Sequence, residues 1–196
     1  CIVNADDVLS TNYISKMDDV FAATGGEHVI RSCRNSRNFG GNYMSCLYGL
    51  YFISACRFEA RGRTVCGCST RVSGTGYLFP SRLVERGWEY VTLTEDWEFT
   101  ADQLARGCKV LYCDEAEFFD EQPLGIRVML RQRLRWARGH MIVFFTRFRR
   151  LMKSLFSRKN GLDGRRRFSV FDISVSILPL GVISVALLLI QLGCIS

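Results

Sequence analysis

Apolar residues fall into short blocks along this chain, and the spacing inside each block separates strands from helices. "CIV" at the start is an apolar run cut off by the polar "NADD", the pattern of a buried strand's end. "TNYISKMDDVFAAT" has apolar residues at helical spacing and runs into Gly25-Gly26, which predicts a helix. "EHVIRSC" alternates as a strand does, and "RNSRNFGGN" reads as a loop. "YMSCLYGLYFISACRFEARG" is apolar on most faces, a helix packed on several sides.

Further on, "STRVSGTGYLFPSRLVERGW" reads as strand or loop, a turn at Gly74-Thr75-Gly76, a short strand and a short helix. "TEDWEFTADQLARG" predicts an amphipathic helix capped by the Thr94 side chain and closed by Gly107, with Glu95 and Asp96 at the favourable end of its dipole. "CKVLYC" is a strand, and "PLGIRVMLRQRLRWARGHMIVFFTRF" a long helix with Pro123 tolerated near its start. Strands alternating with helices give an α/β class. No internal repeat and no low-complexity tract interrupts the pattern.

Composition supports a packed domain. Hydrophobic residues make up 48% of 196 positions, enough to build a core and to exclude disorder. Nine cysteines without a CxxC pair, and only two histidines, fit neither a zinc site nor a secreted disulfide framework, so reduced thiols are expected. The chain starts at Cys1 inside an apolar run, which reads as a piece lacking an N-terminal part.

Charge divides the chain. Residues 1–126 carry more Asp and Glu than Lys and Arg, whereas residues 127–167 hold many arginines and a single acid, Asp163. Such asymmetry asks for an anionic partner beside the second segment. From Ile173 to Ser196 there is no charged residue. About 20 apolar residues cross a bilayer, so a transmembrane helix is expected within 168–196, with a buried core helix kinked at Pro179 as the alternative. Arg165, Arg166 and Arg167 flank it and place residues 1–167 in the cytoplasm, at the plasma membrane. The mixture of Phe, Leu, Arg and Lys over 141–167 reads as a basic amphipathic segment in the membrane interface, or as a solvated helix face.

Three clusters carry candidate chemistry. Asp6 and Asp7 follow a strand end, where α/β sheets bind ligands; either can hold Mg²⁺ or Mn²⁺ against a phosphate, or simply cap a turn. Asp96 in "TED" is a helix-start acid, or a general base if a hydroxyl nucleophile comes within reach. Gln132, Arg135 and Trp136 lie at i, i+3 and i+4 and share one helix face. Arg offers a planar fork for phosphate oxygens, Trp a flat surface for a sugar or base, and Gln both a donor and an acceptor. The same trio also suits an exposed basic face with Trp136 turned to the core.

"NAD" at 4–6, "SGTG" at 73–76, "TED" at 94–96 and "QRLRW" at 132–136 occur in that order ahead of an uncharged segment. No single one is specific, but together, and over nearly the whole chain, they make it resemble the later part of processive, membrane-bound family 2 glycosyltransferases. These include cellulose, chitin, hyaluronan and poly-N-acetylglucosamine synthases. The resemblance implies a partial GT-A-like, Rossmann-like domain over 1–140, then the interfacial segment 141–167 and the transmembrane helix 168–196. It implies an inverting transfer from a nucleotide-diphosphate sugar, a UDP-sugar such as UDP-GlcNAc, to a growing polysaccharide or lipid-linked acceptor. By the same resemblance Asp96 is the base and Asp6 the ligand of Mg²⁺ or Mn²⁺. Asp6, Gln132 and Arg135 bind the donor diphosphate, and Gly74, Thr75, Gly76, Glu95 and Trp136 border the acceptor. Asn4 departs from the family pattern, which has an acid there. A non-processive glycolipid transferase and an inactive scaffold of the same fold stand as alternatives. Nucleic acid is the rival anionic partner, disfavoured because the uncharged segment tethers the basic stretch to lipid.

Overall fold

The structure is a computed structural model and describes residues 1–157 and 163–177. Ile2 bridges to Tyr77, and the chain then forms β1 (Val8–Leu9) and α1 (Tyr13–Ala23). β2 (Val29–Ser36) leads to α2 (Tyr43–Ser54), a π-helical turn at Ala55–Ala60 and α3 (Arg61–Val65). β3 (Tyr77–Leu78) and a short turn at Ser81–Val84 precede α4 (Glu95–Arg106), β4 (Val110–Asp120), α5 (Ile126–Phe156) and α6 (Gly164–Ser176).

β2 and β4 pair in parallel at the centre of a four-stranded sheet of order β1–β4–β2–β3, with both outer strands antiparallel. The register jumps between Arg31 and Cys33, where the partner position on β4 advances from Tyr112 to Glu117. Side chains alternate across β2 as a pleat requires. Ile30 packs with Tyr13 and Met17 of α1, and Ser32 accepts from the Tyr13 hydroxyl at 3.0 Å. On the opposite face Val29 packs with Phe99 of α4, while Cys33 meets Cys56 and Tyr112. The mixed α/β class read from the sequence is the class observed.

α4, α5 and α6 form a second core from Ala101, Leu104, Val143, Leu151, Val170, Ile173 and Ile177. Buried ions reinforce it. Asp102, almost wholly enclosed, takes Arg106 at 2.8 Å, Arg150, and the Tyr90 hydroxyl at 2.9 Å, while Glu98 accepts from Arg147 at 2.7 Å.

Several expectations change in detail. β4 runs on through "DEAEFFD", whose acids are paired: Asp114 and Glu117 with Arg57, and Asp120 with Arg34. β2 extends to Ser36, into the segment read as loop. Thr94 caps α4 by position, but its side chain makes no capping hydrogen bond. α5 is continuous across residues 140 and 141, where the sequence placed a domain boundary. The expected spanning helix at 168–196 falls partly on α6, whose Val170 and Ile173, with Ile177 just past its end, pack against α4 and α5. Its remainder, 178–196, lies outside the described residues. Among the described residues no helix is long and apolar enough to cross a membrane.

Candidate active site

One cleft of about 220 Å³ gathers residues from all four motifs. The "SGTG" turn is its hinge point. Thr75 Oγ1 donates to Asp7 Oδ2 at 2.6 Å and accepts from the Asn4 N–H at 2.9 Å, which ties the first motif to the second. The Gly74 N–H donates to Asp96 Oδ2 at 2.7 Å, which ties the second to the third. Glycine is required at residue 76: φ is +71°, and a Cβ there would stand 2.4 Å from the Phe118 ring and 2.5 Å from Ser32 Oγ.

α5 brings the fourth motif. A Cβ on Gly139 would lie 2.5 Å from the Thr94 side chain, so this glycine lets the helix cross tightly over the start of α4. Gln132, Arg135, Trp136, Gly139 and His140 then continue one helical face, and all but Gly139 line the cleft. Trp136 is half-buried against Tyr48 and Phe52, each 6.4 Å between ring centres. It therefore both packs and borders the cleft. Arg133, on the neighbouring face, lies over the Tyr48, Tyr51 and Trp136 rings. Arg135 is exposed and makes no ion pair among the described residues, so its guanidinium is available to a ligand.

Asp96 is 9% exposed, and burial pushes its carboxyl up to about 6. Glu95 beside it lines the same cleft. Thr94 Oγ1 and Gln132 Oε1 are buried there without a hydrogen-bond partner. Unpaired polar atoms of this kind carry a cost that a hydroxyl-rich ligand relieves.

Asp6 stands apart. It is exposed on the turn that carries Asn4 and does not line the cleft, whereas Asn4 does. Asp7, weighed beside it, is used to hold Thr75, and its Oδ1 is buried without a partner. Among the described residues no three His, Cys, Asp or Glu side chains are grouped to hold a metal by themselves. Magnesium and manganese do not demand that; they take one or two carboxylates and complete their shell with substrate phosphates and water. Asp6 is a single carboxylate of the kind such a site uses, placed on the turn next to the cleft wall rather than in it.

The cleft also contains residues the sequence did not single out: Arg31, Arg34, Glu59, Arg71, Trp97 and His140. The His140 ring packs tilted against Trp97, 4.3 Å between ring centres, and Arg71 lies 5.0 Å over the same indole. Burial, with Arg71 nearby, pushes His140 down to about 4, so its imidazole is neutral at physiological pH. His140 continues the i+4 step from Trp136, which a longer reading of that face would have caught. The strand arginines carry no local signal, since their placement follows from the sheet register.

In this mixed α/β fold a helix-start carboxylate thus shares a cleft with a Gln-Arg-Trp surface. The chain belongs to glycosyl transferase family group 2, whose family model matches residues 1–194. It is also similar to the cellulose synthase A catalytic subunit 9 (UDP-forming) of Oryza sativa subsp. indica and of subsp. japonica. Each is 35% identical over 95 residues, which is 47% of this chain and 9% of the rice protein. The matched part thus spans less than a tenth of those relatives.

Proposed function

We propose that the chain is the catalytic part of an inverting glycosyltransferase with a GT-A-like domain. It moves a sugar from a nucleotide-diphosphate donor to a growing polysaccharide, or to a lipid-linked acceptor, at the cytoplasmic face of a membrane. One observation carries this reading: Asp96 is buried at the start of α4, fixed by the Gly74 N–H, in the same cleft as Gln132, Arg135 and Trp136. UDP is the donor nucleotide favoured by the UDP-forming rice relatives. The uncharged stretch 173–196 beside a basic helix supports the membrane location.

The acceptor hydroxyl attacks the anomeric carbon from the face opposite the diphosphate. A new C–O bond forms as the bond to the diphosphate oxygen breaks, and Asp96 takes the hydroxyl proton. Gln132 and Arg135 hold the diphosphate as its charge develops. Trp136 bounds the acceptor, and the backbone of Gly74 and Thr75 lets it pass close, while Gly76, packed against Phe118 and Ser32, lies outside the cleft wall. Asp6 would hold Mg²⁺ or Mn²⁺, which when bound neutralises charge on the leaving diphosphate.

The test is the whole protein in membranes with labelled UDP-sugars and Mn²⁺ or Mg²⁺. Asp96→Asn is expected to cut transfer about 10²–10⁴-fold while UDP binding persists. Turnover retained in that variant would remove Asp96 from its role. Asn4, uncharged on the cleft wall where the family carries an acid, favours a second reading as an inactive scaffold. Transfer or donor hydrolysis by the wild-type protein excludes it.

A further inference from the structure

Cys56 sits in the π-helical turn after α2, fully buried. Its Sγ accepts from Arg31 Nη2 and from the Arg34 backbone N–H, both at 3.3 Å. Cys33 of β2, Ala60 and Tyr112 of β4 close the buried cluster around it. Arg31 is 5% exposed and lines the cleft, with Nη1 donating to the Arg71 carbonyl at 3.0 Å.

The arginines nearby are paired with acids: Arg34 with Asp120, Arg57 with Asp114 and Glu117, and Arg63 and Arg71 with Glu59. Arg31 pairs with no carboxylate among the described residues. A buried guanidinium without a counter-charge is strongly disfavoured. Every other charged group facing the cluster is committed: the Tyr112 hydroxyl donates to Asp114, and Glu59 is taken by two arginines. Among the described residues packed around Arg31, the sulfur is the remaining candidate anion.

We propose that Cys56 is held as a thiolate, is the counter-ion of Arg31, and so positions that guanidinium in the cleft wall. The Cys33 thiol is packed beside it in the same buried cluster. The neighbouring Cys33 thiol, with Arg31 and the Arg34 N–H, pushes the Cys56 thiol down, while the same neighbour and burial push Cys33 up. The purpose of the positioned charge rests on the glycosyl-transfer reading; the ion pair does not.

Two arms test it on the whole protein. The first is ultraviolet thiolate absorbance against pH. Wild type is expected to show one thiolate more than Cys56→Ser at neutral pH, lost on acidification. In Arg31→Gln the same thiolate is expected only at higher pH. Identical spectra for wild type and Cys56→Ser overturn the thiolate, and an unshifted titration in Arg31→Gln overturns the pairing. The second arm is equilibrium binding of UDP. Cys56→Ser is expected to weaken it about tenfold, the loss of one charge-assisted hydrogen bond, with recovery in Cys56→Asp. Undiminished UDP affinity in Cys56→Ser overturns the positioning role. Wild type that binds no UDP counts against the function proposed for the cleft, and the absorbance arm decides the ion pair alone.

Discussion

Asp96 holds its proton more tightly in the folded chain than in the unfolded one, because burial penalises the carboxylate. Two consequences follow at this single residue. As a base it must be ionised, so kcat/KM is expected to rise with pH up to about 6 and then level off; a flat profile across that range would contradict the assignment. The stability sign runs the opposite way. A raised carboxyl pKa contributes stability that is fully present below the unfolded value and lost as pH rises through about 6. Asp96→Asn keeps an acceptor for the Gly74 N–H without the buried charge. It is therefore expected to melt higher than wild type at pH 8, by about 1–3 kcal/mol, with the gap closing near pH 5. At this scale Asp96, Gln132, Arg135 and Trp136 were legible because a helix turns fixed spacing into a shared face. Asp6 was legible as a carboxylate on the right turn but not in its direction, which the Asp7–Thr75 bond and the backbone of the turn decide. Arg31 and Cys56 were not legible, because a strand and a helical turn 25 residues apart meet only through tertiary packing.

Each element that forms the cleft is set by a contact with its neighbour rather than by its own propensity. α5 lies against the first turn of α4 because Gly139 has no side chain. Gly139→Ala improves helix propensity, yet its methyl meets Thr94 at 2.5 Å. The variant is expected to lose about 1–3 kcal/mol in thermal unfolding, and to lose transfer activity as Gln132 and Arg135 shift. The other fastening is ionic. Asp102→Ala frees Arg106 and Arg150 and removes the partner of the Tyr90 hydroxyl. The expected cost is about 2–4 kcal/mol, below the full range for a buried pair because those arginines reach solvent. High salt should shrink it only slightly, since Asp102 itself is enclosed. Helix positions were read well from periodicity, α1 and α4 especially. β4 was cut short in the reading at "CKVLYC", because the acids of "DEAEFFD" interrupt the apolar run. Its acids become strand residues only when Arg34 and Arg57 arrive from β2 and the turn after α2.

On the scale of the whole molecule, the question is where the packed body gives way to the uncharged segment that begins near Ile173. Hydropathy cannot place that limit, since a core helix and a lipid-facing one use the same residues. Packing places it later than the charge pattern does. α6 anchors to the body through Arg63–Asp172 at 2.9 Å and through Ser169, whose Oγ accepts from the Ser69 N–H at 2.8 Å. Val170, Ile173 and Ile177 are buried against Val143, Leu151 and Leu104, while Phe168 and Phe171 are exposed. The two faces of α6 should therefore respond differently. Ile173→Ala opens a cavity between α4, α5 and α6 and is expected to cost about 2–5 kcal/mol, lowering the melting temperature and hastening proteolysis of α5. Phe171→Ala removes a larger side chain but only from the surface, and about 0.5 kcal/mol is expected. Equal effects of the two substitutions, or a larger one at Phe171, would mean that α6 presents its outer face to something that covers it. The packed body would then end before this helix. The predicted order of effects instead makes α6 part of the domain that holds the cleft.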